Sequence, residues 1–231
     1  MLKITIRDNL LFINERIEKA KIKSGRNDEI KLIAVTKTVD VETINEAINA
    51  GITDIGENKV QELEKKIALL NDRVNYHMIG YLQSNKVKYI VNKVDLIHSL
   101  DRLSLAKEID KRAKEHNIVA NTLLQINVAE EETKSGLKVC DVIPFIEEIQ
   151  QFTNIGIRGL MTIAPLTDNE NLLRNVFKTM VNIKKDINSR RYDNVSMDYL
   201  SMGMTNDFEI AIEEGANLIR VGTGLFGKRN Y

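Results

Sequence analysis

A lysine follows a short apolar run near the start of the chain. Leu32 to Val35 are apolar, and Lys37 comes two residues later. The run predicts a strand buried on both faces, and parallel α/β sheets bind their ligands beyond the carboxyl ends of such strands. A partly desolvated amine at that position can attack a carbonyl group and form a Schiff base. The alternative is a rim lysine whose stem covers apolar surface while its ammonium reaches solvent.

A glycine-rich turn follows a second apolar run close to the end of the sequence. Arg220 lies in this run, and Gly222, Thr223 and Gly224 come directly after it. Glycines let the backbone approach an anion closely, and the threonine hydroxyl adds a donor. In (β/α)8 barrels the loops after the seventh and eighth strands commonly bind phosphate. The segment therefore predicts a phosphate cradle, although an ordinary turn has the same composition.

The segment from Ser201 to Asp207 supplies two hydroxyl groups. We predict a strand over roughly 196–200, so Ser201 should emerge at the same end of the sheet as the glycine turn and donate to the same anion. Thr205 precedes an apolar helical pattern, and we predict that it caps that helix.

Three further residues follow the second and third predicted strands. Asn58 is either the cap of the next helix or a polar contact over the mouth of the barrel. His77 lies within the third strand, where a hydrogen-bonded core imidazole is more common than a general base. Met78 is its neighbour in the same strand.

Eight strands alternate with helical patterns along the sequence. We predict strands at roughly 31–36, 52–55, 75–79, 94–98, 121–127, 156–160, 196–200 and 217–221. An amphipathic helix precedes them and ends near Ser24 and Gly25. The expected fold is α/β, a single (β/α)8 TIM-type barrel with an extra N-terminal helix, in one domain over residues 1–231. An open doubly wound sheet is the alternative.

The composition excludes several classes of function. Lys plus Arg (33) balance Asp plus Glu (33), so no overall charge recruits nucleic acid. The single cysteine and three scattered histidines offer neither a disulfide nor a metal site. The sequence shows no signal peptide and no membrane-length apolar run. We therefore expect a soluble, cytoplasmic protein without metal.

Taken together, the motifs resemble those of the pyridoxal phosphate homeostasis protein family, which is itself similar to the N-terminal barrel of alanine racemase. The resemblance runs nearly end to end and is specific. Its motifs are AVTK at 34–37, GEN at 56–58, HMIG at 77–80, LQSNK at 82–86, IHSLD at 97–101, GLM at 159–161, SMGMTND at 201–207 and RVGTGLFG at 220–227. The family commonly has serine where Thr205 stands, which keeps a hydroxyl group in place.

The resemblance implies a cofactor and a role for each candidate residue. Lys37 would carry pyridoxal 5'-phosphate (PLP) as a Schiff base, and Arg220 would face the pyridine nitrogen. It also implies that the phosphate is held by three residues, Ser201, Gly222 and Thr223. Asn58 would be a further cofactor contact, and His77 and Met78 would lie near the ring.

The resemblance further implies a PLP-binding protein that serves in vitamin B6 homeostasis without a dedicated catalytic turnover. The alternatives are a PLP-dependent racemase-like enzyme and a cofactor-free Schiff-base aldolase. Two-base racemases bring an opposing tyrosine from a second, carboxyl-terminal domain, and we expect none here because the sequence ends at Tyr231. Apo-forms of PLP-dependent enzymes are the expected recipients of the cofactor, and the protein is expected to be a monomer or weak dimer. No nucleic acid or membrane partner is expected.

Overall fold

The computed structural model describes residues 5–227. Its first element, α1, spans Ile6–Ser24 and buries a stripe of Leu10, Ile13, Ile17 and Ala20. A capping box between Thr5 and Asp8 begins the helix, and Gly25 ends it in the left-handed conformation with φ 66°. The predicted N-terminal helix and its end point are confirmed.

Eight parallel strands form a closed barrel in chain order, and the last strand pairs with the first. The strands are β1 (Lys31–Val35), β2 (Asp54–Glu57), β3 (Asn75–Met78), β4 (Leu96–Leu100), β5 (Ala120–Gln125), β6 (Ile155–Met161), β7 (Val195–Met204) and β8 (Leu218–Val221). The prediction of a TIM-type barrel is therefore confirmed, and the open doubly wound sheet is wrong.

Further helices lie on the outside of the barrel, and all but the last of them connect one strand to the next. They are α2 (Val41–Ala50), α3 (Val60–Leu70), α4 (Leu103–Glu115), α5 (Val142–Ile149), α6 (Glu170–Arg190), α7 (Phe208–Glu213) and α8 (Thr223–Phe226). The connection between β3 and β4 contains a 3-10 helix, Ser84–Tyr89, instead of an α-helix. α1 packs beside α7 and α8, where Arg16 forms an ion pair with Glu209 at 2.7 Å.

The core has two layers, because successive side chains of a strand point to opposite faces. The larger layer lies between the strands and the helices. The smaller layer fills the middle of the barrel and consists of Ile33, Leu96, Leu123, Met161 and Leu218. Buried polar side chains also face the barrel interior and lie alongside this apolar plug.

β7 is longer than predicted. It continues to Met204 instead of ending at residue 200, and its pairing with β8 shifts register between Ser201 and Met204. Gly203 lies in this irregular stretch with φ 93°, and a Cβ there would approach the Ala211 Cβ to 2.6 Å. Only glycine fits this position. Gly203 therefore allows β7 to form a bulge and to continue beneath α7.

No helix in residues 5–227 combines the length and the apolar character that a membrane span requires.

Candidate functional site

A pocket of about 240 Å³ opens at the carboxyl end of the barrel. Four of the predicted residues line it together: Lys37, Arg220, Gly222 and Thr223. Its other walls come from the end of β1, the loop after β6 and the end of β7, and consist of Val35, Ala164, Pro165, Leu166, Met204, Thr205, Asn206 and Asp207. Side chains from both ends of the sequence thus meet in one cavity.

Lys37 occupies a tight turn directly after β1. The Val39 amide donates to the Thr36 carbonyl at 2.9 Å, which closes the turn. Thr38 takes φ 61°, an unusual conformation for a β-branched residue, and its amide donates to Glu62 Oε2 at 3.1 Å. Lys37 itself is half-buried and forms no hydrogen bond or ion pair with another residue in the described range. Its amine is therefore available to a ligand.

A buried polar cluster supports this turn from behind. Lys66 Nζ donates to the Thr36 carbonyl at 2.6 Å and contacts the Glu57 carboxylate, which also accepts from the Thr36 hydroxyl at 2.6 Å. Glu57 and Lys66 are 0% and 6% exposed. The ion pair joins α3 to the ends of β1 and β2, so it fixes the backbone that carries Lys37.

Arg220 supplies a buried positive charge to the pocket. It is 4% exposed, and it donates to the Ser201 hydroxyl at 2.5 Å and the Thr162 carbonyl at 2.8 Å. Burial lowers the pKa of Arg220 to about 10, against the opposing effect of the Asp207 charge, so the guanidinium stays protonated at neutral pH. No carboxylate of residues 5–227 pairs with it directly. A buried cation without an ion pair favours an anion or a strong acceptor in the pocket.

Thr205 joins the glycine turn instead of capping a helix. The Gly224 amide and the Thr223 hydroxyl both donate to Thr205 Oγ1, at 3.3 and 3.2 Å. The hydroxyl hydrogen of Thr205 is then left to donate elsewhere, and the residue lines the pocket. The predicted cap is wrong, because α7 begins after Asp207 and no side chain caps it.

Ser201 does not reach the pocket. Since β7 continues past it, Ser201 is fully buried within the strand, and its hydroxyl contacts Arg220 at 2.5 Å and His98 Nδ1 at 3.1 Å. The predicted position of Ser201 just beyond the strand is therefore wrong. Ser201 contacts Arg220, which lines the pocket, but does not line the pocket itself. From the segment Ser201–Asp207, Thr205 supplies a hydroxyl group to the pocket wall.

His77 and Met78 point to opposite faces of β3. His77 faces the barrel interior and contacts Asp54 Oδ1 at 2.9 Å and His98 Nε2 at 3.0 Å, which confirms the core-imidazole interpretation. Met78 packs in the layer between the strands and the helices. Neither residue lines the pocket, so the positions near the ring implied by the resemblance are not supported.

Asn58 is half-buried in the loop directly after β2. The residue before α3 is Lys59, which has no capping hydrogen bond, so of the two alternatives for Asn58 the helix cap is wrong. Its backbone lies against Gly80, where a Cβ would approach the Asn58 carbonyl oxygen to 2.4 Å. The close approach requires glycine and fixes the loop after β2, but Asn58 is not among the residues that line the pocket.

Comparison with known proteins supports a common origin for this arrangement. Residues 9–230 match the family described as alanine racemase, N-terminal domain. A pyridoxal phosphate homeostasis protein of Aquifex aeolicus is 45% identical over 226 residues, which cover 97% of this chain and 98% of the relative. The protein of the same name from Haemophilus influenzae is 36% identical and covers 99% of this chain and 98% of its own.

Solved structures agree with these relatives. A protein from Bifidobacterium adolescentis superposes with a TM-score of 0.90 at 35% identity, covering 95% of this chain and 94% of that chain. PipY of Synechococcus elongatus, solved with PLP bound, has a TM-score of 0.79 at 34% identity and covers 92% of this chain and 100% of its own. Alanine racemase of Clostridium difficile shares the fold at 16% identity and a TM-score of 0.74, with 97% of this chain matching 58% of the racemase. The chain therefore belongs to the alanine racemase N-terminal domain family, and within it to the pyridoxal phosphate homeostasis proteins.

Proposed function

We propose that this protein binds PLP through Lys37 and serves in PLP homeostasis. The observation that carries the proposal is the buried guanidinium of Arg220, which has no ion-pair partner among residues 5–227, in the same pocket as the amine of Lys37. The names of its relatives and the PLP bound to PipY support the same ligand class.

The residues in the pocket fit the chemical groups of PLP. The aldehyde requires an amine, which Lys37 supplies without any competing partner in the described range. The phosphate requires donors and a backbone that approaches closely, which Gly222, Thr223 and Thr205 provide. The pyridine nitrogen requires a hydrogen-bond donor, which Arg220 is. When bound, PLP supplies an electrophilic carbon and a conjugated ring that withdraws electrons.

Each protein group would then have one task. Lys37 holds the cofactor covalently as a Schiff base, while the turn at Thr36–Val39 keeps its stem oriented. The Thr205 hydroxyl would donate its hydrogen to the phosphate, and the Thr223 hydroxyl would exchange its present acceptor, Thr205 Oγ1, for a phosphate oxygen. Arg220 donates to the ring nitrogen, and its fixed positive charge disfavours protonation of that nitrogen.

We further propose that the protein has no dedicated catalytic turnover. A ring nitrogen kept unprotonated by Arg220 makes the ring a weaker electron sink. Besides Lys37, the ionisable side chains among the described pocket residues are Arg220 and Asp207. Burial raises the pKa of Asp207, which by itself favours a role as a base, but its carboxylate accepts from the Met204 amide at 2.5 Å and is held in the turn before α7. The pocket thus offers no well-placed second base for racemisation, and transfer of PLP to apo-enzymes is the role that we infer.

Reduction with borohydride tests the attachment. After incubation with PLP and reduction, mass spectrometry of peptides should find the cofactor on Lys37. Lys37→Ala should lose the covalent adduct yet keep weak reversible binding, since the phosphate donors come from other strands. Lys59→Ala is the matched control, because the Lys59 side chain is 74% exposed at the neighbouring strand end. An adduct mainly on another lysine would refute the assignment.

A further inference from the structure

Five buried polar side chains form an unbroken hydrogen-bonded chain through the barrel. Asp54 Oδ1 lies 2.9 Å from His77 Nε2, and His77 Nδ1 lies 3.0 Å from His98 Nε2. His98 Nδ1 lies 3.1 Å from Ser201 Oγ, which lies 2.5 Å from the Arg220 guanidinium. Each of the five residues is less than a tenth exposed. Burying so many polar groups is costly unless every donor meets an acceptor.

The chain joins the two ends of the barrel. Arg220 lines the pocket at the carboxyl end, described above. Asp54 and His77 line a separate cavity of about 340 Å³ at the amino end of the strands. Other charged groups around this cavity are Lys31, Asp95, Arg158 and Asp198, and Lys31 contacts Asp54 at 3.3 Å.

The chemistry of the two ends sets the direction of every hydrogen bond. A guanidinium can only donate, so Ser201 accepts from Arg220 and donates its own hydrogen to His98 Nδ1. His98 then carries its proton on Nε2 and donates to His77 Nδ1. His77 likewise carries its proton on Nε2 and donates to the Asp54 carboxylate. In this arrangement both imidazoles are neutral and each donor has an acceptor.

The opposite direction leaves a buried group without a partner. If His77 donated from Nδ1, His98 would accept at Nε2 and carry its proton on Nδ1. Ser201 would then accept from both His98 and Arg220, and its hydroxyl hydrogen would lose its acceptor in the chain. A buried donor without an acceptor costs about 1–3 kcal/mol. Burial lowers the pKa of His98 well below its usual range, and the positive charge of Arg220 acts in the same direction, which agrees with a neutral ring.

We propose that Asp54, His77 and His98 are positioning residues that act through Ser201 to hold Arg220 in one orientation toward the ligand in the pocket. Asp54 ends the chain as a group that can only accept. Each histidine therefore donates toward Asp54 and accepts from its other neighbour, so the Ser201 hydroxyl must donate to His98 and accept from Arg220. The proposal rests on the proposed function only in taking the ligand of Arg220 to be the pyridine ring.

Nuclear magnetic resonance of the protein labelled with ¹⁵N-histidine tests the direction without any cofactor. Near neutral pH, His77 and His98 should each show a neutral ring with the proton on Nε2. The chain has three histidines, so His116→Gln, at the exposed end of α4, assigns the third ring and should leave the other two unchanged. A proton on Nδ1 of His98, or a doubly protonated His77, would overturn the proposal.

A second measurement separates positioning from mere structural support. Asp54→Asn and His98→Gln should displace the pH titration of the bound PLP absorbance by about 0.5 pH unit or more, equivalent to about 0.7 kcal/mol, whereas His116→Gln should not. Titrations that coincide with the wild type would overturn the positioning role. If PLP failed to bind at all, the proposed function would fall while the histidine resonances still decided the direction of the chain.

Discussion

Removing one partner of the buried Glu57–Lys66 ion pair should destabilise the barrel strongly. We consider Lys66→Met, which keeps most of the side-chain volume and removes the charge. The Glu57 carboxylate is then left fully buried, with Oε2 already lacking a hydrogen-bond partner and Oε1 retaining only the Thr36 hydroxyl. The Thr36 carbonyl also loses one of its two donors and keeps the Val39 amide.

The expected loss follows from the cost of an uncompensated buried charge. Breaking a buried pair by removing one member costs about 3–5 kcal/mol, whereas replacing both members by apolar residues is often close to neutral. Lys66→Met should therefore lower the free energy of unfolding by about 3–5 kcal/mol. The double variant Glu57→Leu with Lys66→Met should recover most of that loss, although the Thr36 hydroxyl and the Thr36 carbonyl each lose a side-chain partner.

Urea unfolding of the single and double variants measures these differences. Lys93→Met is the matched control, because Lys93 pairs with Glu64 at 3.7 Å on the surface with side chains 42% and 34% exposed. It should change the free energy of unfolding by about 0–1 kcal/mol. A cost for Lys66→Met no larger than that of Lys93→Met would refute the account of this ion pair.

Three further predictions concern the pocket and the chain behind it. Thr223→Ala and Thr205→Val should each weaken PLP binding by about one to two orders of magnitude, because a hydrogen bond to a charged group is worth roughly 1.5–3 kcal/mol. The affinity for pyridoxal, which lacks the phosphate, should not change. Ser201→Ala is the control, and a fluorescence titration should show no such difference between PLP and pyridoxal for it. Below the ordinary histidine pKa of about 6.5, His98 binds a proton in the unfolded chain but stays neutral in the folded protein, because burial lowers its pKa. The free energy of unfolding should therefore fall by about 1.4 kcal/mol for each pH unit of acidification. The variant His98→Gln should lack this contribution in urea unfolding at a series of pH values. Solvent deuterium should enter the α-carbon of L-alanine slowly with the PLP-loaded protein; exchange near the ~10 per second of a median enzyme, measured by NMR in D2O, would contradict the non-catalytic role.

The barrel was predictable because its strands and helices carry strong local signals. The apolar run Leu32–Val35 lies within β1, and α1 ends at Gly25 as predicted. The convergence of Lys37 with the glycine turn at Gly222 was predictable as well. It follows from parallel strands in a barrel, whose carboxyl ends lie on one face.

The errors in the site come from strands whose interior face is polar. No apolar run marks the end of β7, so the extension to Met204 and the bulge at Gly203 depend on packing against α7. That extension buries Ser201 and brings Thr205 to the pocket in its place. The strict alternation of side chains along β3 was a usable signal, since it separates His77 from Met78.

The partners of Arg220 explain why sequence could not locate its role in full. Its two acceptors are Ser201, 19 residues earlier, and Thr162, 58 residues earlier, and the chain behind Ser201 spans a further 103 residues to His98. Such contacts exist only once the barrel has closed. Because every member both accepts and donates, or ends the chain, the loss of one leaves its neighbour without a partner. The energetic effects of changes within the chain therefore depend on one another, and no residue in it contributes to the orientation of Arg220 by itself.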